Sequence, residues 1–388
     1  MKNNRTFLEK LLDGAEVKWK PLGRVTDIKT GQSVSKNIIA QNPGIYPVIN
    51  SGREPLGFIN EWNTENDPIG ITTRGAGVGS ITWQEGKYFR GNLNYSVTIK
   101  SEYELNVRFL YHVLLHFQKE IHNLCSFTGI PALNASELKK LEIPIPPLSV
   151  QTEIVKILDA LTALTSELTS ELTLRRKQYE YYREKLLSEE ELIRLGATAE
   201  NLGDVTSISS GGTPSTKEPA YWVGGNIPWI KSESCKNKLI DEIKHHITEM
   251  GLQNSNAKLL SPNTTLMAMV GATIFKTAFL PFEATTNQNI AAIKSKNELG
   301  IKDKFIFYYL NNMYDFFISK LSGYNMVNLS QIKNIKILLP PLEEQQRIVS
   351  ILDKFETLTN SITEGLPLAI EQSQKRYEYY RELLLNFE

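Results

Sequence analysis

The stretch IPIPPLSVQTEIVKILDALTALT, Ile143 to Thr165, returns later in the chain as ILLPPLEEQQRIVSILDKFETLT, Ile337 to Thr359. Pro146, Pro147, Leu148, Gln151, Ile154, Val155, Ile157, Leu158, Asp159 and Leu164 match Pro340, Pro341, Leu342, Gln345, Ile348, Val349, Ile351, Leu352, Asp353 and Leu358. Each copy then reaches a second shared phrase, QYEYYREKLL from Gln178 to Leu187 and RYEYYRELLL from Arg376 to Leu385. After Pro147 the apolar residues Ile154, Ile157, Leu158, Leu161, Leu164, Leu168 and Leu172, then Tyr179, Tyr182 and Leu186, advance in steps of three and four. That is the helical period, and the paired prolines set a sharp start. The segment Ser149 to Leu187 predicts a helix of about 58 Å at ~1.5 Å per residue. An apolar seam that long needs another helix beside it, and the second copy supplies one, packed antiparallel about a pseudo-twofold axis.

The duplication extends upstream. PLGRVTDIKTGQSVSK aligns with NLGDVTSISSGGTPSTK, and GIPALNASELKKLEIPI with GYNMVNLSQIKNIKILL. Between them the match is thin, as in NLNYSVTIKS from Asn92 against NQNIAAIKS from Asn287. The chain therefore reads as globular unit, long helix, globular unit, long helix. The expected boundaries are 1–145, 146–190, 191–339 and 340–388. The helices differ in two places. The first carries TSELTSEL, Thr165 to Leu172, whose four-residue step departs from a coiled-coil seam. The second carries ITEGLPLAIEQ, where Gly365 and Pro367 predict a kink or break. At the N-terminus FLEKLL resembles REKLL at the end of the first long helix. The N-terminal segment is therefore expected beside the end of the last helix, as its continuation.

Each unit mixes short β patterns (VTDI, YPVIN, IGITT, YSVTI) with helical stretches such as VRFLYHVLLHFQKEIHNL, which reads as α+β. RGAGVGSITW, Arg74 to Trp83, lacks the Gly-Lys-Ser/Thr ending of a phosphate loop and reads as a hairpin turn. The 388 residues, 41% hydrophobic, allow more than one packed core. No apolar run reaches the ~20 residues of a membrane span, and the N-terminus has no signal-peptide pattern. Cys125 and Cys235 stand far apart, which speaks against a disulfide framework or zinc site and for a reducing, cytoplasmic setting. Lys plus Arg equals Asp plus Glu at 43 each, so any nucleic-acid surface must be local. The five histidines show no metal spacing, and no nucleophile, metalloprotease or amino-methyltransferase motif is present. The chain reads as a binding protein.

These elements together resemble the specificity subunit of type I restriction–modification systems. The resemblance rests on both Pro-Pro-Leu helices, the TSEL repeats, both EYYRE phrases, EGLP in the second helix and the LGxVTxIxxG opening of each unit. It implies two target-recognition domains, each reading one half of an asymmetric bipartite DNA site. The long conserved helices would set the gap and dock methyltransferase subunits. It implies a subunit without catalysis of its own, partnered by double-stranded DNA, two methyltransferase subunits and two restriction/motor subunits. S-adenosylmethionine, ATP and Mg would belong to those partners, with no membrane role. Two other readings share the pattern: the recognition subunit of a two-subunit restriction enzyme cutting beside its site, and a coiled-coil assembly scaffold without DNA.

Turn-rich loops with base-reading and phosphate-holding side chains are the expected contacts. In the first unit these are Lys36, Asn50, Ser51, Arg53, Thr73, Arg74, Arg90, Asn92 and Asn94. In the second they are Ser215, Lys217, Lys231, Ser232, Lys276, Asn287, Gln288 and Asn289, with Trp229 read as core. On the helices, Tyr179, Tyr182, Tyr377 and Tyr380 fall on the seam. Tyr181, Arg183, Tyr379 and Arg381 fall off it and are expected to face a partner subunit.

Overall fold

A computed structural model describes residues 7–52, 54–297, 300–320 and 326–387. The chain divides into two compact units, Met1–Thr169 with Ala369–Glu388, and Ser170–Leu368. Both repeat one α+β topology.

Each unit is closed by its own chain ends. In unit 1 the strand Lys18–Pro21 pairs antiparallel with Glu142–Ile145, and in unit 2 Thr198–Asn201 pairs with Lys336–Leu339. The shared Leu-Gly that follows makes a short helix, Leu22–Val25 or Leu202–Val205. Its glycine is required by close approach: a Cβ at Gly23 would sit 2.6 Å from Lys139 Cβ, and one at Gly203 2.7 Å from Lys333 Cβ. The next threonine closes the turn, Thr26 donating to Leu22 O at 2.8 Å and Thr206 to Leu202 O at 2.6 Å.

An antiparallel sheet follows. Its order in unit 1 is Thr26–Thr30, Asn94–Ile99, Ile69–Thr72, Ile81–Trp83. In unit 2 it is Thr206–Ser210, Ile290–Ser295, Thr264–Ala268, Thr277–Leu280, with Lys238–Leu239 added in parallel. A smaller sheet holds a parallel pair in each unit, Val48 and Ile49 beside Phe89 and Arg90, and Trp229 and Ile230 beside Thr285 and Thr286. These registers correct the alignment read from the sequence. Lys100, not aligned with Lys294, corresponds to Lys296. Both ammonium groups bond the short helix, Lys100 to Gly23 O and Arg24 O, Lys296 to Gly203 O and Asp204 O.

One helix per unit packs beneath the sheet, Val107–His116 and Asp303–Asn312. Each is clasped to a long helix through an aspartate of the repeated stretch. Asp159 Oδ1 accepts from Arg108 Nε and His112 Nε2, both at 2.8 Å. Asp353 Oδ1 takes Lys304 Nζ at 2.8 Å and the Tyr308 hydroxyl at 2.6 Å. The shared glutamines act alike, Gln151 Oε1 accepting from Asn106 N and Gln345 Oε1 from Lys302 N.

The long helices are Leu148–Leu186, Leu342–Asn360 and Leu366–Leu385. Within unit 1, Thr165 meets Ser373 at 2.8 Å, while Ile154 and Leu158 share a core with Leu384 and Leu385. Within unit 2, Tyr179 and Tyr182 lie against Phe355, while Leu186 and Leu187 share a core with Ile348 and Leu352. Numbers rise on one helix as they fall on the other, so both pairings are antiparallel. The break falls where Gly365 and Pro367 place it. Gly365 has φ +85°, and a Cβ there would meet Thr357 O at 2.5 Å.

At the N-terminus, Leu11 and Leu12 of the helix Phe7–Leu12 pack against the core that buries Leu384 and Leu385. The structural counterpart of this helix is Glu189–Arg194. Asp13 N bonds Glu9 O as Leu195 N bonds Glu191 O, and positive-φ Gly14 and Gly196 follow. FLEKLL thus takes the place of the short helix after the long one, not of REKLL.

Candidate nucleic-acid interface

Four loops meet at one end of each unit because hydrogen bonds tie them there. In unit 1, Gln32 N donates to Arg90 O, Gly91 N to Ile49 O, Leu93 N to Asn50 Oδ1 and Thr73 N to Leu93 O, at 2.7–2.9 Å. In unit 2, Gly212 N donates to Thr286 O, Asn287 N to Ile230 O and Met269 N to Asn289 O, at 2.9–3.0 Å. The first loop leaves its strand at a glycine that only glycine can occupy. A Cβ would lie 2.3 Å from Arg90 O at Gly31 and 2.0 Å from Thr286 O at Gly211. The loops are thereby fixed from beneath and open above.

Exposed on these loops are Lys36, Arg74 and Asn92 in unit 1, and Ser215, Lys217 and Gln288 in unit 2. Ser51, Lys231, Ser232, Lys276 and Asn289 are half-buried. Lys36 opens a helix capped by Ser35, and Arg74 bridges to Ala132. Lys231 lies 5.8 Å from the Trp229 ring, and Lys276 6.0 Å from that of Tyr314. Gln288 Oε1 accepts from Thr213 Oγ1 at 2.6 Å. Asn50, Thr73 and Asn287 are buried beneath the loops, where Asn50 and Asn287 accept from the backbone amides of Leu93 and Asn289. Arg53 lies outside the described residues.

Residues 15–174 and 198–372 match the family model of the type I restriction modification DNA specificity domain. A putative type I restriction enzyme specificity subunit of Haemophilus influenzae is 41% identical over the full length of both chains. The chain belongs to the type I restriction–modification specificity family. The specificity subunit of the EcoR124I/EcoR124II enzymes of Escherichia coli is 34% identical, across 98% of this chain and 97% of its own. In fold, the crystal structure of an S subunit from M. genitalium matches with a TM-score of 0.64 at 18% identity, covering 97% of this chain and 98% of its own.

Two loop residues of this family member are corrected by their surroundings. Arg90 is 3% exposed and its guanidinium is consumed inside unit 1. Nη1 donates to Ile69 O at 3.1 Å, Asn94 Oδ1 at 2.6 Å and Tyr95 O at 3.0 Å. Nη2 donates to Asp67 O at 2.7 Å and to the Tyr88 hydroxyl. Burial lowers its pKa, and burial raises that of Tyr88 to about 12. Arg90 and the fully buried Asn94 are the scaffold of the loops and not their reading surface.

On the specificity chain's helices, Tyr181 and Tyr379 are 57% and 63% exposed. Arg183 and Arg381 lie half-buried over Tyr179 and Tyr377, each 5.6 Å from the ring centre. Tyr179 and Tyr377 pack against the unit cores. Among the described residues, no group of three or more His, Cys, Asp or Glu could hold a metal, and no helix is long and apolar enough to cross a membrane.

Sequence reasoning missed a recess in unit 2 lined by Thr213, Thr216, Pro219, Trp222, Trp229, Lys231 and His245. Trp229 is core, as expected, yet one side of it meets Trp222 at 5.1 Å. The signal available was two tryptophans seven residues apart in YWVGGNIPW, with GG between them.

Proposed function

We propose that each unit reads one half of a split, asymmetric DNA target, with the helices setting the gap between the halves. The observation that carries this reading is the repeated loop end: two units share one scaffold down to Gly31 and Gly211, yet present different side chains above it. Divergent loops on a common scaffold specify two different words. In functional terms the division is 1–145 and 191–339 for the reading domains, and 146–190 and 340–388 for the spacer helices. Lys36, Ser51, Arg74, Asn92, Ser215, Lys217, Lys231, Ser232, Lys276, Gln288 and Asn289 would contact DNA, together with Arg53, which lies outside the described residues.

The chain itself does no chemistry in this reading. Two methyltransferase subunits would dock on the helices, with Tyr181, Arg183, Tyr379 and Arg381 among the contacts, and two motor subunits would complete a cytoplasmic restriction complex. S-adenosylmethionine, ATP and Mg would be held by those partners. Co-expression with the methyltransferase partner, followed by mapping of methylated adenines, tests it. Two unlike words at one fixed spacing are expected. A single word, or no site-specific methylation, would sink the reading. Arg74→Ala should weaken binding of the cognate duplex by about 1 kcal/mol, a typical rim contact to DNA, measured by titration at fixed salt.

A further inference from the structure

The aromatic recess of unit 2 lies against the loops just described. Thr213, in its lining, donates to Gln288 of the loop that follows Thr285–Thr286, and Lys231, also in its lining, follows the strand that ends at Ile230. Its volume is about 570 Å³. Trp222 and Trp229 form its apolar part, and neither indole N–H points into it. Trp222 Nε1 donates to Ser215 O and Trp229 Nε1 to Gly212 O, both at 3.0 Å. The tryptophans therefore offer carbon surface and π-faces but no hydrogen bond.

That limits what the recess can recognise. In the major groove, every base edge except one is told apart by donors and acceptors alone; thymine adds a 5-methyl group. The face made by Pro219, Trp222 and Trp229 carries no free donor, and it matches that methyl. Thr213, Thr216, Lys231 and His245 complete the lining, and the Lys231 ammonium suits the neighbouring phosphate or the O4 acceptor. We propose that this recess reads the 5-methyl edge of a thymine in the half-site of unit 2, with Trp222 as the specificity-determining residue. The inference rests on unit 2 being a DNA-reading unit.

The test uses the specificity chain reconstituted with its methyltransferase partner, and duplexes of the mapped target. Each thymine of both words is replaced in turn by uracil, which removes only the methyl. At one position of the second word uracil should weaken binding about fourfold, the equivalent of ~0.8 kcal/mol at 1.4 kcal/mol per tenfold. In Trp222→Ala that discrimination should vanish, while uracil effects in the first word stay unchanged. Trp222 also packs against the cluster of Trp229, Ile247 and Ala257, so Thr216→Phe, which adds a ring to the recess lining from an exposed position, serves as a second variant and should abolish the same discrimination. Retention of target preference with no uracil effect in the second word, or with the effect intact in both variants, would overturn the proposal alone. A second word without thymine on either strand would do the same. Loss of all preference for the mapped duplex in the unaltered complex would overturn the DNA-reading assignment with it.

Discussion

Arg90 in unit 1 and Thr286 in unit 2 hold the same place. Each ends a strand paired in parallel, with Ile49 and with Ile230, and each backs the glycine that opens the first loop. Unit 1 fills this place with a guanidinium donating to three acceptor groups of the sheet, to the Asp67 carbonyl and to Tyr88. Unit 2 fills it with a small side chain whose buried hydroxyl finds no hydrogen-bond partner among the described residues. The same substitution pattern recurs at the clasp, where His112 stands for Tyr308 and Arg108 for Lys304. The duplication keeps backbone geometry and the acceptor groups Asp159, Asp353, Gln151 and Gln345, and lets the donors diverge.

The largest effect that separates shared scaffold from divergent loops is on the gap. The TSEL repeats lie inside one uninterrupted helix, Leu148–Leu186. One more TSEL unit after Leu172 adds ~6 Å, between one and two base-pair rises. Methylation should move to sites with a wider gap and unchanged words, and should fall about 100-fold or more at the original spacing. An altered word with the old gap would break the division of labour between helices and loops.

Next is the scaffold itself. Arg90→Ala should destabilise unit 1 by about 3 kcal/mol, because Asp67 and the carbonyls of Ile69 and Tyr95 lose a buried partner together. Hydrogen exchange in Ile69–Thr72 and Asn94–Ile99 should accelerate while Thr264–Ala268 stays protected. An unchanged unit 1 would return Arg90 to the list of reading residues.

The sequence made the helical frame legible because its constraints are local. Pro-Pro-Leu starts, the glycine of LG and the Gly365 break each follow from backbone sterics near one residue. Arg90 misled because a buried arginine and a DNA-reading arginine are the same letter in the same turn-rich setting. Its role is decided by Asp67, Ile69 and Tyr95, which reach it only through sheet pairing. The strand register was hidden because alternating apolar residues fit at either shift, and only the bonds of Lys100 and Lys296 select one. The recess was hidden because Trp222 and His245 come together across separate loops.

The clasp gives a smaller, pH-dependent contrast. His112 is almost fully buried; its Nε2 lies 2.8 Å from Asp159 Oδ1, and Nδ1 lies 3.3 Å from the Tyr377 hydroxyl. Burial lowers its pKa below 6.5, outweighing Asp159, while Arg108 and Arg381 push the same way as burial. A group depressed in the folded state binds its proton more readily when unfolded. Its stabilisation is therefore present above the unfolded value and lost as pH falls through the range below 6.5. Burial raises the pKa of Tyr308 instead, so its phenol stays protonated across that range. Between about pH 8 and pH 5.5, exchange corrected for intrinsic rates should increase in Val107–His116 and not in Asp303–Asn312. His112→Tyr should reduce the difference, leaving the part due to His116, whose pKa burial also lowers; equal pH response of both helices would show that the clasp does not set it.

The smallest effect lies at Thr286, and its sign is what matters. Among the described residues the hydroxyl is buried without a partner, which costs about 1–3 kcal/mol of desolvation relative to an apolar group of like shape. Its neighbour Gly211 packs on the Thr286 carbonyl as well as on the hydroxyl, and valine keeps the first contact and the side-chain volume. Thr286→Val should therefore be neutral or stabilise unit 2 by up to ~1 kcal/mol in thermal unfolding, with unchanged binding of the cognate duplex. A loss of stability would mean that the hydroxyl is paired within the fold. A loss of DNA binding at unchanged stability would mean that a group in the bound state completes it. Either result would place Thr286 and Arg90 in the same role, as polar groups that need a partner, and would remove the contrast between the two units.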